Sequence, residues 1–125
     1  MKSYTDLEQS KKLAEILPLE SADMTYYACV KDWRGNPIEP KWGKPANLTK
    51  EELALPCANF QKYEYVPCWS LAALLDILPS GKAIIQNKES SEYKYICNNI
   101  DTAFYNNPID ACYEMIIKLH EQNLL

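Results

Sequence analysis

Apolar positions in this chain recur with a helical period in three places and alternate between them. The clearest helical stretch is Val66 to Pro79. Leu71, Leu74, Leu75 and Leu78 fall at i, i+3, i+4 and i+7, which puts them on one face of an α-helix. Ser70 stands before them as a cap for the free backbone N–H groups of the first turn. Pro79-Ser80-Gly81 stops the helix, because proline cannot continue its hydrogen-bond ladder.

Near the start, Leu7, Leu13, Ala14, Ile16 and Leu17 form an apolar stripe against Glu8, Lys11, Lys12 and Glu15. Thr5 with Glu8 three residues later reads as a capping box. The pattern predicts a helix from Asp6 to Leu17, ended by Pro18. Glu20 to Asp23 is a turn. Met24 to Val30 is aromatic and β-branched and predicts a strand. Arg34-Gly35-Asn36-Pro37 is a dense turn signal, followed by a loop from Ile38 to Asn47 that carries Trp42. A second capping box at Thr49 and Glu52 predicts a short helix from Lys50 to Leu55. Ala58 to Val66 is extended.

Lys82 to Gln86 reads as a strand and Asn87 to Ser91 as a polar turn. Glu92 to Ile100 alternates, with Tyr93, Tyr95 and Cys97 on one side and Lys94, Ile96 and Asn98 on the other. Thr102 to Tyr105 suggests one more short strand. The last helix opens with Asn107 as N-cap, Pro108 in its first position and Asp110 near the positive end of the dipole. Ile109, Cys112, Met115, Ile116 and Leu119 form its apolar stripe. It ends near Glu121, with Asn123 suited to a left-handed C-terminal position. Strands bracketed by helices imply an α+β fold, with an antiparallel sheet of 3–5 strands packed with about three helices. No repeat or linker interrupts the chain, so residues 1–125 read as a single domain.

Composition narrows the function classes. No apolar run is long enough to span a membrane, and the polar start lacks the apolar core of a signal peptide, so a cytoplasmic protein is expected. The net charge is −4, and of 13 basic residues only Arg34 is an arginine. Arginine makes most bidentate phosphate and guanine contacts, so no nucleic-acid partner is expected. Five cysteines, none in a C-x-x-C pair, fit neither a disulfide framework nor a zinc site and read as buried free thiols.

Catalytic chemistry finds little support. His120 is the one histidine, and it sits in the last helical turn, where the dipole alone accounts for it. Cys68, ahead of a helix start, is the one thiol placed for activation. Asp23 and Asp110 have turn and capping roles. Three isolated glycines make no phosphate loop. No cofactor or metal is expected. Trp33 and Trp42 flank the turn-rich loop beside Tyr26 and Tyr27, and these four aromatics are the candidate partner surface, since such rings in loops anchor protein interfaces.

Three stretches carry a resemblance: Leu7 to Leu13 running on to Ser21-Ala22-Asp23-Met24-Thr25-Tyr26; Pro67-Cys68-Trp69-Ser70-Leu71 running on to Leu78-Pro79; and Asn107 to Met115. On these the chain resembles a family of uncharacterised small proteins from Bacteroides-type gut bacteria, often carried on prophages or other mobile elements. It departs from that pattern in its middle loop and at Leu17-Pro18. The resemblance implies a mobile-element accessory protein and carries over no catalytic residue. Two readings follow: a non-enzymatic protein that binds a protein partner, or a small-ligand binder or small enzyme with a cleft near Asp23, Tyr26 and Cys68. A homodimer through the aromatic loop is a third arrangement.

Overall fold

The computed structural model describes residues 2–79, 83–87, 89–97 and 99–125. Among these the fold is α+β, with four α-helices and two antiparallel sheets, one of two strands and one of three. The chain divides into two compact units, one made of Asp6–Cys68 and the other of Met1–Thr5 with Trp69–Leu125. The antiparallel strands that the sequence implies as one sheet are therefore split between two. Ser80, Gly81, Lys82, Lys88 and Asn98, which enter the expected helix stop, strand, turn and alternation, lie outside the described residues.

In the Asp6–Cys68 unit, helix α1 spans Leu7–Ile16. Its N-cap is Asp6, one residue later than expected, and the reciprocal partner is Gln9, not Glu8. Leu17 leaves the helix in extended conformation, as a residue before proline must. A 3-10 turn at Leu19–Ser21 leads into strand β1, Met24–Lys31. A four-residue helix α2, Lys50–Leu53, starts from Thr49, whose side chain accepts from the Glu52 N–H. It stops two residues short of the expected end because Ala54 turns left-handed. Strand β2, Lys62–Cys68, pairs antiparallel with β1 from Met24↔Cys68 to Lys31↔Lys62.

That register sorts the ribbon into two faces. Met24, Tyr26 and Ala28 lie opposite Cys68, Val66 and Glu64, and α1 packs against β2. Met24, Tyr26, Ala28 and Cys68 are buried. The other face carries Thr25, Tyr27 and Cys29 opposite Pro67, Tyr65 and Tyr63.

In the second unit, helix α3 spans Leu71–Ile77. Ser70 Oγ accepts from the Ala73 N–H, as its position predicts. Leu74 and Leu78 are buried while Leu71 and Leu75 are half-buried, so the buried stripe is rotated toward Ala73. Strands β3 (Ala83–Asn87), β4 (Glu92–Cys97) and β5 (Ile100–Asp101) form the three-stranded sheet. The last strand precedes the expected 102–105 segment, which still pairs with β4 in part: the Thr102 N–H donates to the Tyr95 carbonyl, and Tyr93 and Tyr105 exchange N–H···O bonds. The Thr102 side chain takes the Tyr95 N–H and interrupts a regular ladder. Helix α4, Pro108–Glu121, packs on β4 and α3 with Ile109, Cys112, Met115, Ile116 and Leu119 fully buried. Asn107 caps its start, and Asn123 takes the left-handed conformation past its end.

Candidate binding surface

The long connection between β1 and β2 leaves and returns at one place, the Lys31↔Lys62 pair. Beyond it the chain makes a tightly bonded turn. Asp32 Oδ1 accepts from the Arg34 and Asn36 N–H groups, the Gly35 N–H donates to the Asp32 carbonyl, and the Asp32 N–H donates to the Asn36 carbonyl. Four hydrogen bonds in five residues fix this turn before any partner arrives, which lowers the ordering cost of an interaction.

Two exposed aromatic side chains lie at this end, one on the turn and one on the segment returning to β2. Trp33 is 53% exposed and Phe60 74%. The Phe60 N–H donates to the Trp33 carbonyl at 3.2 Å. Gly35 has φ +82°, and a Cβ there would meet the Phe60 Cβ at 3.2 Å. Glycine is thus required both for its left-handed backbone and for the close approach of the ring. The Arg34 guanidinium lies 4.6 Å from the Trp33 ring centroid, a cation–π distance. Ile38 adds exposed aliphatic surface nearby through its N–H bond to Val30.

Basic side chains gather at this end, beside Asp32, whose carboxylate is taken up by the backbone N–H groups of Arg34 and Asn36. Lys31 and Lys62 are exposed and directly opposite each other, an arrangement that costs stability in an antiparallel pair. With Arg34 they form a basic border around the aromatics. Among the described residues no carboxylate forms an ion pair with any of the three.

The four aromatics expected at the surface separate. Trp33 is its centre. Tyr27 is exposed, but on the Tyr63–Tyr65 face of the ribbon. Trp42 is half-buried in the connection, and Tyr26 is buried on the face opposite Tyr27. Phe60 was not singled out from sequence. A lone aromatic among polar residues after Asn59, which adopts φ 52°, was the available signal.

A cavity of about 650 Å³ opens elsewhere in the same unit. Tyr63, Tyr65 and Pro67 of β2, Met24 and Thr25 of β1 and the segments around Glu20 and Lys50 wall it. None of Asp23, Tyr26 and Cys68 lines it; their chain neighbours do. Tyr26 and Cys68 are buried, and Asp23 is exposed.

Of the other candidates for chemistry, Asp110 has a structural role. Asp110 bonds Lys2 Nζ and Asn107 Nδ2, each at 2.8 Å, at the start of α4. His120 is exposed in the last turn of that helix. All five cysteines are free thiols, with Cys57 exposed and Cys68, Cys97 and Cys112 buried. Among the described residues no group of three His, Cys, Asp or Glu side chains is placed to hold a metal ion. Iodoacetamide in native buffer should therefore modify Cys57 first and leave Cys68 intact until unfolding. Mass spectrometry of timed samples reads this, and early labelling of Cys68 would mean its helix start opens readily.

No family model, curated protein or solved structure matches this chain. Among the described residues no helix is long and apolar enough to cross a membrane.

Proposed function

We propose that this chain is a non-enzymatic binding protein that docks on a partner protein through the end of the β1–β2 ribbon. One observation carries the reading: Trp33, on a turn locked by its own hydrogen bonds, and Phe60, bonded to the Trp33 carbonyl through its backbone, are both exposed. Tryptophan and arginine are the side chains most often found at the energetic centre of an interface. The partner is a protein with an apolar hollow for the two rings and carboxylates at its rim. Such a rim relieves the repulsion between Lys31 and Lys62 and meets Arg34. The resemblance supplies the setting, that of an accessory protein of a prophage or other mobile element working in the host cytoplasm.

The test is affinity capture from host lysate, with the wild-type domain and a Trp33→Ala/Phe60→Ala variant as paired baits. A protein captured by wild type should be lost with the variant. Measured with the purified partner, the double substitution should weaken binding at least about thirtyfold, the loss of one interface hot spot of about 2 kcal/mol. Equal capture by both baits rules out this surface. Capture that disappears on nuclease treatment identifies a nucleic acid as the ligand and overturns the protein-partner reading. A mass that rises with concentration for wild type but not for the variant identifies the partner as a second copy of this chain.

A further inference from the structure

The cavity beside the ribbon has a chemistry of its own. Its walls combine the Tyr63 and Tyr65 side of the sheet with Pro67 and Leu19, and among the described residues the charged side chains offered to that side are Glu20, Glu51 and Lys50, since Glu64 stands on the opposite face of β2. A volume of about 650 Å³ lies in the range of small-molecule sites. The Lys50 ammonium already sits over the Tyr65 ring, 5.1 Å from its centroid. A tyrosine face with a cation on it, in a cavity whose charge is otherwise negative, is the arrangement that selects organic cations.

We infer that this cavity binds a small organic ammonium ion with an apolar arm, and that Lys50 is an internal competitor seated where the ligand's charge belongs. The cationic head replaces the Lys50 ammonium on the Tyr65 ring, and the carboxylates of Glu20 and Glu51 neutralise it. The apolar arm lies against Leu19 and Pro67. An anionic ligand would gain one lysine and face the carboxylates of Glu20 and Glu51, so the balance of charge is against it. The inference does not rest on the docking surface, since neither Trp33 nor Phe60 lines this cavity.

The experiment is an NMR titration of the whole chain with benzyltrimethylammonium, with benzyl alcohol as the neutral probe and benzoate as the anionic one. The cation should bind at least about tenfold more tightly than either and shift the amides around Tyr65 and Lys50. Glu20→Gln/Glu51→Gln, two changes at exposed positions that leave the core intact, should weaken the cation about tenfold. Lys50→Met should strengthen it several-fold by removing the competitor. Equal binding of cation and neutral probe, tighter binding of benzoate, or weaker cation binding by Lys50→Met would each overturn the inference.

Discussion

Trp69→Ala should lower the stability of the protein by about 3–5 kcal/mol, the largest effect of any single substitution argued for this chain. Trp69 is the largest of the side chains with no exposed surface. Its backbone is pinned as well: the Thr5 N–H donates to the Trp69 carbonyl at 3.0 Å, and the Trp69 N–H donates to Thr5 Oγ1 at 3.2 Å. Thr5 is itself fully buried, so both bonds lie away from water. The main chain cannot shift to fill the space that alanine leaves, and a site that cannot collapse pays the cavity cost in full. Against a total of about 5–15 kcal/mol, the loss should lower the melting temperature by at least about 10 °C. Thermal melting followed by circular dichroism reads it. Trp69→Phe, which keeps a ring in the site, should lose less. A melting temperature within a few degrees of wild type for the alanine variant would show that the surroundings close over the gap.

The same Thr5–Trp69 pair shows where local sequence signals stop. Thr5 followed three residues later by Glu8 has the form of a capping box, yet Asp6 and Gln9 form the box instead. Thr5 is claimed by a residue 64 positions away, and no local pattern carries that information. Where the competing partners were local, the sequence was a good guide. Ser70, Thr49 and Asn107 all cap the helices that follow them, and proline sets the ends of α1 and α3 through the residue before it. The candidate surface divides the same way. Trp33 and the Arg34–Pro37 turn were legible, since glycine and asparagine mark a turn and a tryptophan beside it stands out. Phe60, Lys31 and Lys62 join Trp33 only through the strand register, and register is set by pairing across the sheet. Tyr26 and Tyr27 look alike in sequence, and only the register, which puts them on opposite faces with Tyr26 buried, separates them. The cavity was illegible for the same reason, because its walls come from three separate segments, 19–25, 49–51 and 63–67.

Tyr95→Phe should act in the opposite direction and stabilise the protein by about 1–3 kcal/mol. Tyr95 has no exposed surface, and among the described residues its hydroxyl has no hydrogen-bond partner. A buried donor that gives up water and gains nothing costs the free energy of its desolvation, and phenylalanine removes that cost while keeping the ring. Burial, and after it the neighbouring Cys112 and Cys97 thiols, pushes the Tyr95 phenol well above its ordinary value near 10. In the unfolded chain the phenol titrates normally. Below pH 10 both states hold the proton, and the gain from the phenylalanine is independent of pH. As pH rises above 10 the unfolded state releases its proton while the folded state retains it. Wild type then loses stability by up to about 1.4 kcal/mol per pH unit, which the variant does not lose at this position. The difference between the two proteins should therefore be flat from pH 7 to about 9 and widen above 10. Urea unfolding of both at a series of pH values measures it. A variant less stable than wild type at pH 7 would show that the hydroxyl is bonded in solution. A difference that stays flat above pH 10 would show that the folded protein admits water to this ring.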